Sequence, residues 1–350
     1  DASGMSSLMP DRYAGLDRSD SSMNRLASRH ATEDPLCSRS EWVFSFHEQM
    51  GRGRDLIFRE TSDSLIAFAF WEHPAVGPIL EPLEYHWRFT NPLLGPDSVE
   101  LLKALLDENA GDLGECLVLL SGLEEGVDHQ RKVLAPLAKS HEAHRMDHNL
   151  FCSASLENGV DAFLGRRSPK FRQNLRRSVR LAEERDVTFE RVSPRGGQEA
   201  EMVYERMVAI ERQSWKGLER VGMDEEPSLG FYRRMFRRLA TGGLARGVFA
   251  VADGRDIGFV LGGVDGTNFR GQQFSFVADW GRESIGNLLQ WETIQWLCEQ
   301  GIRRYDMGSV LEYKLRWTEL RLRTESVIRE RMACLVLRST RGCISGWIGR

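Results

Sequence analysis

The segment Val277–Leu289, VADWGRESIGNLL, reads as a strand that runs through a polar loop into a helix. Gly281 and Gly286 allow close approach of the backbone to a ligand. The first helical turn offers N–H groups without partners inside the helix and the positive end of its dipole, and Arg282 adds a formal charge. Such a loop suits an anion, with a pyrophosphate as the natural guest; an ordinary helix start is the plainer reading. Lys314 and Arg316 form a second cationic pair suited to a phosphate or a carboxylate, or else simply surface charge. Along Pro169–Glu184, Arg172, Arg176 and Arg180 recur at i, i+4 and i+8, with Arg166, Arg167, Lys170 and Arg177 nearby. Phe171, Leu175 and Val179 make the adjacent apolar stripe, so one face docks on the body and the other projects cations toward an acidic partner or water. His141, His144 and His148, with Asp147 beside them, would share one helical face and could hold a metal. A polar helix-to-strand connection explains them more simply, and no metal is expected.

Composition narrows the chemistry. The chain has 350 residues, 41% hydrophobic and 28% charged, enough for two domains with their own cores. Its apolar runs are short, as in Ser64–Trp71, far from the ~18–20 residues of a bilayer span, so no membrane partner is expected. A net charge of −4 excludes a bulk polycation but not a local basic face. All eight histidines precede residue 149, which rules out a Ser-His-Asp or Cys-His centre built in the later part alone. The basic residues are 41 Arg and only 6 Lys, which singles out Lys170 and Lys314. Six cysteines without a CxxC pair read as reduced, mostly core thiols. With no secretory pattern at the N-terminus, the protein reads as cytoplasmic.

These residues need elements to hold them. Residues 1–39, rich in serine, read as a flexible arm with room for a helix around Ser22–Arg29. A first α/β unit, 40–158, carries a helix over Glu41–Met50 behind Ser40 and strands over Asp55–Arg59 and Leu65–Trp71. A helix over Val99–Leu106, a strand over Cys116–Leu120, a helix over Asp128–Lys139 and a strand over Leu150–Ala154 complete it. The second unit, 159–350, opens with helices over Asp161–Leu164 and Pro169–Glu184 and a strand over Thr188–Val192. Helices over Glu199–Trp215 and Pro227–Ala240 precede a meander of Gly247–Ala252, Asp256–Val264 and Gly271–Val277, with turns at Asp253-Gly254 and Asp265-Gly266. A helix over Ser284–Gln300, closed by Gly301, leads to a strand over Arg304–Met307. Thr324–Glu330 and Ala333–Leu337 read as terminal strands. The fold class is α+β, with both units alternating helices and strands.

Five segments carry a family resemblance. They are Phe171-Arg-Gln-Asn-Leu-Arg-Arg177, Glu211-Arg-Gln-Ser-Trp215-Lys-Gly217, Val251–Gly258, the Ile285–Gly301 helix, and Tyr305-Asp-Met-Gly308 with Tyr313-Lys314. Across roughly residues 160–320 the chain resembles the GNAT superfamily, most of all the branch named after CelD/BcsL proteins, relatives of the FemABX peptidyltransferases. The loop Arg282-Glu-Ser-Ile-Gly286-Asn287 has one residue more before its glycine than the family's usual phosphate loop, and Asp306–Val310 lacks the second glycine often found there.

The resemblance implies two tandem GNAT-like domains, each a mixed, mainly antiparallel sheet flanked by helices, facing each other across a cleft. It implies a bacterial-type N-acyltransferase that moves an acyl group to an amine of a peptide, sugar or small molecule. The donor would be acetyl-CoA, a longer acyl-CoA or an acyl carrier protein, its thioester lying along Phe274–Ala278. Phe276, Val277, Ala278, Arg282, Gly286, Asn287, Leu288 and Lys314 would bind it. Direct attack needs a proton acceptor and an N–H for the oxyanion, which Val277 or Ala278 would supply. Asp306 is a candidate acceptor or a strand-end cap; Glu211 is another, or a solvated helix residue; Tyr313 would protonate the leaving thiolate or simply pack. The Arg172/Arg176/Arg180 helix would meet an acidic carrier protein or a tRNA. Two alternatives stand beside this: FemABX-like aminoacyl transfer from charged tRNA, and a non-catalytic module that binds a peptide or sugar.

Overall fold

The computed structural model describes residues 21–31, 33–109, 116–125 and 142–330, together with Tyr13 and Leu113. Its first helix, α1 (Ser22–His30), is capped by Ser21, whose side chain accepts from the Asn24 N–H. Met23, Leu26 and Ala27 of this helix are buried, so this part of the expected arm is anchored. α2 (Ser40–Met50) follows, then β1 (Asp55–Glu60), β2 (Leu65–His73), β3 (Gly77–Pro82) and the short β4 (Leu93–Leu94). α3 (Ser98–Glu108) leads to β5 (Leu117–Glu124), and β6 spans Glu142–Ser155. The helix expected over Asp128–Lys139 and the strand over Ala333–Leu337 lie outside the described residues.

The later half comprises α4 (Gly159–Gly165), α5 (Pro169–Glu183), β7 (Thr188–Val192), α6 (Gly196–Glu211), α7 (Trp215–Leu218) and α8 (Ser228–Thr241). The meander β8 (Ala245–Ala252), β9 (Arg255–Asp265) and β10 (Asn268–Phe276) comes next. α9 (Ile285–Glu299), β11 (Arg304–Ser309), α10 (Glu312–Leu315) and β12 (Leu320–Glu330) complete the described elements. Gly301, at φ 73°, closes α9 as expected, with the Ile302 N–H donating to the Leu297 carbonyl. The long helix expected over Glu199–Trp215 breaks at Glu211 because Ser214 caps a new turn, accepting from the Gly217 N–H.

All strands join one sheet in the order β1-β2-β3-β5-β12-β6-β11-β10-β9-β8-β7, with β4 attached to β2. Neighbours are antiparallel except β3–β5 and β10–β11. Each parallel pair is separated in sequence by one helix, α3 or α9, so both halves repeat meander, helix, parallel strand. The halves also exchange strands. β12, the last of the described strands, pairs with β5 and β6, while β6 pairs with β11. One core packs α1, α2, α6 and α8 against the sheet, a second gathers α5 and α9, and a third lies under α3. At ~25 cal/mol per Å² these cores supply the main drive for folding.

The feature that makes a site is a gap. β10 pairs with β11 only over Asn268–Arg270 against Arg304–Asp306. Beyond that, β10 continues along β9 to Phe276, while β11 stays with β6 across a bulge between Asp306 and Ser309. The departure is built on Gly308, at φ 76°, where a Cβ would come 2.5 Å from the Arg270 guanidinium.

Candidate active site

The gap opens into a cavity of about 550 Å³. One wall is the freed edge of β10 from Gly271 to Phe276; opposite it stand Tyr305, Met307, Tyr313 and Lys314. Trp215 and Lys216 from the α6–α7 corner and Gly286 and Asn287 from α9 also border it. Of the residues expected from the sequence, Phe276, Gly286, Asn287, Tyr313 and Lys314 therefore come together here.

The α6–α7 corner is organised by Glu211, which is fully buried. Its carboxylate accepts from the Met223 N–H at 3.0 Å and the Ser214 hydroxyl at 3.3 Å, and pairs with Lys216 Nζ at 3.1 Å. Gly217 is required here, since a Cβ would lie 2.2 Å from the Glu211 carbonyl oxygen. Lys216 reaches across the cavity and donates to the Phe274 carbonyl at 3.0 Å and to Gln273 Oε1 at 3.4 Å. Glu211 is thus neither solvated nor on the cavity wall. It holds the lysine that is. Lys216 and the paired glutamines Gln272 and Gln273 were missed from the sequence, although Lys216 is one of six lysines and sits inside a quoted motif.

Tyr313 lies over Phe274, with ring centroids 6.3 Å apart and planes at 28°. Burial pushes its hydroxyl up to about 12, which keeps it protonated. Burial, with Arg270 nearby, pushes the Lys314 ammonium down to about 8. Its Nζ donates to the carbonyls of Met307 at 2.7 Å and Ser309 at 2.9 Å.

Of the two readings of Asp306, the structure shows the strand-end cap. Tyr305 and Met307 line the cavity, so the alternation of β11 turns Asp306 to the opposite face of the sheet. There it lies 3.5 Å from Arg270, which also pairs with Asp34 at 2.9 Å, and it accepts from the Gly308 N–H at 2.7 Å. Burial raises the Asp306 carboxyl, and Arg270 opposes that rise. Burial also works against the Arg270 charge, but Asp34 and Asp306 more than offset it. This is a buried ionic cluster beneath the gap.

The loop and helix start of Val277–Leu289 also differ. The N–H groups of Val277 and Ala278 donate to the carbonyls of Ile257 at 2.9 Å and Gln213 at 3.0 Å, so both are engaged. Strand alternation turns the main chain of Phe276 the other way, into the gap. A Cβ on Gly286 would sit 2.9 Å from Phe274 Cζ and 3.1 Å from Phe276 Cε1. That glycine makes room for the two rings and still borders the cavity. Leu288 is buried in the core, and the side chain of Arg282 is outside the described residues.

Of the basic stripe on α5, Arg172 turns inward and donates to the carbonyls of Leu164 and Arg167, closing the end of α4. Arg176 and Arg180 are exposed. The histidine cluster falls on strand β6 instead of a helix; His141 and the side chain of His144 lie outside the described residues. Among the described residues no cluster of three metal-ligating side chains occurs, and no helix is long and apolar enough to cross a membrane. Cys37, Cys116, Cys152 and Cys298 are free thiols, the first three buried.

Residues 169–315 match the family described as acetyltransferase (GNAT) domain. No curated protein matches the chain. Among solved structures, FemX is similar at 12% identity, with 91% of this chain and 97% of FemX covered and a TM-score of 0.61. A conserved protein of unknown function from Bacteroides thetaiotaomicron gives 13% identity, coverages of 90% and 97%, and a TM-score of 0.60. L-PGS from Bacillus licheniformis gives 13%, 89% and 98%, and 0.55. At such identities these likenesses establish the fold.

Proposed function

We propose that this protein moves an acyl group from a thioester to an amine by direct attack, a reading supported by the match of residues 169–315 to the acetyltransferase (GNAT) domain and by the FemX-like fold. The observation that carries the reading is the parted β10–β11 pair, whose gap brings a free strand edge, Tyr313, Lys216 and Lys314 to one cavity. In the reaction the amine nitrogen bonds to the thioester carbonyl carbon, the carbonyl oxygen becomes an oxyanion, and the C–S bond breaks to release a thiolate. The Phe276 N–H, turned into the gap, stabilises the oxyanion. Lys216 Nζ, fixed by Glu211, holds the β10 edge through the Phe274 carbonyl and adds positive charge beside it. The Tyr313 hydroxyl gives its proton to the thiolate, and neutral Lys314 takes the proton of the attacking amine. Asp306 acts as a positioning residue, fixing Arg270 under the gap.

In this reading the unit 159–350 holds the donor and the unit 40–158 faces the acceptor. The CelD/BcsL-like branch, and an acceptor that is an amino sugar, a lysine or ornithine side chain of a peptide, or a small amine, belong to the same proposal. The test is thiol release from acetyl-CoA and longer acyl-CoAs with a panel of such amines. Release that depends on the amine and is lost in Tyr313→Phe supports the reading. Equal turnover in the variant refutes the role of Tyr313, and no release with any pair refutes the donor class.

A further inference from the structure

The fork between β10 and β11 is tied by the chain that joins α1 to α2. Arg304 Nη2 donates to the Glu33 carbonyl at 3.3 Å, and Arg270 Nε pairs with Asp34 at 2.9 Å. Two consecutive residues thus grip both strands within their short paired stretch. Arg270 in turn contacts each strand where they part. Its Nη1 donates to the Gly271 carbonyl on β10 at 2.8 Å, and its Nε lies 3.5 Å from Asp306 on β11. The guanidinium is buried, 5.2 Å from the Phe89 ring and 5.9 Å from the Phe151 ring, which leaves it little freedom to swing away.

The same guanidinium lies against the β11 bulge: a Cβ on Gly308 would come 2.5 Å from its Nη1. From the cavity, Lys314 Nζ donates to the carbonyls of Met307 and Ser309, the two residues that flank this glycine. Two cations therefore hold one three-residue bulge, and Arg270 does not itself line the cavity. Resting on Lys314 as the base of the reaction above, we propose that Arg270 is a positioning residue for it: anchored by Asp34, Arg270 props the fork open and fixes the bulge that holds the Lys314 ammonium at the cavity. Its charge contributes as well as its shape. Among the described residues, Lys314 is faced by Arg270 from β10, Asp306 from β11 and the Cys152 thiol from β6, with the Tyr313 ring 5.8 Å from Nζ. Arg270 is faced by Asp34, Cys37 and Asp306. Burial does most to make Lys314 give up its proton early, and Arg270 adds to it. Because an arginine stays charged throughout, that contribution is constant with pH.

Removing Arg270 alone would strand the Asp34 and Asp306 carboxyls, so Arg270→Gln is combined with Asp34→Asn. In the full chain labelled with 13C-lysine, the Lys314 signal is one of six and is identified by its loss in Lys314→Met. Its titration should move to higher pH by about one unit in the double variant. The pH limb of thiol release should move with it, so that kcat/KM at pH 7 falls about tenfold and recovers toward the wild-type plateau at high pH. Arg270→Lys, which keeps a cation beside Asp34, should restore most of the shift. A purely structural arginine would slow the enzyme at every pH without moving the limb. A Lys314 titration unmoved in the double variant therefore overturns the inference and leaves the thioester reading intact. A titration that moves while the rate limb stays in place removes Lys314 as the base, and the inference falls with that part of the reading.

Discussion

Lys216 Nζ lies 3.1 Å from the fully buried carboxylate of Glu211, and that contact aims the ammonium at the open edge of β10. Removing one member of a buried pair leaves the other uncompensated, at a cost of about 3–5 kcal/mol. Glu211→Gln and Lys216→Met should each lower stability in urea unfolding, and the double variant should lose less than the sum. Lys216→Met should in addition lower kcat/KM by roughly tenfold or more, as expected for a lost charged contact. Strict additivity of the two stability losses would contradict the coupling.

Tyr313 is the proposed acid for the departing thiolate. Tyr313→Phe keeps the ring over Phe274 and removes only the hydroxyl, so the melting temperature should change little. Loss of a general acid costs about 10²-fold or more in kcat. Thiol-release kinetics on both proteins would reveal it, and an unchanged kcat would remove Tyr313 from the chemistry.

The depressed Lys314 sets the direction of the pH dependence. Its neutral form is the base, so kcat/KM should rise with pH and level off above about 8. Lys314→Met should be slow and lack this limb. Stability follows the same group. The folded chain binds fewer protons than the unfolded one between about 8 and the ordinary lysine value of 10.5, so its contribution to stability grows as pH rises through that window. A rate that falls across pH 7–8 would contradict the assignment.

Asp306 should act on stability before activity. Asp306→Asn weakens one contact of Arg270 while Asp34 keeps its own at 2.9 Å, so the expected cost is about 1–3 kcal/mol. The folded variant should retain kcat within about threefold, since Asp306 faces away from the cavity. A loss of ~10²-fold in kcat at unchanged stability would restore Asp306 as the proton acceptor.

Much of the fold was legible because its signals are local. The Asp253-Gly254 turn, the apolar stripe of α9 and the cap at Gly301 each fix an element without reference to distant parts of the chain. The exchange of β6 and β12 was hidden, because nothing in Leu320–Glu330 says which strands it will join. The site was legible where residues follow one another, as in Tyr313-Lys314. It was obscure where strand parity or a distant partner decides. For Asp306 the sequence left acceptor and strand-end cap open until β11 turned it toward Arg270 and Asp34, and Lys216 became informative only once Glu211 and Phe274 stood on either side of it.

The direct transfer across the β10–β11 gap is tested most squarely by one measurement: thiol release from an acyl-CoA with and without an amine acceptor, followed together with the intact mass of the protein. The expected result is release only when the amine is present, one amide formed per thiol, and no acyl mass on the protein. Release without the amine, or a protein that gains the acyl group, would contradict it.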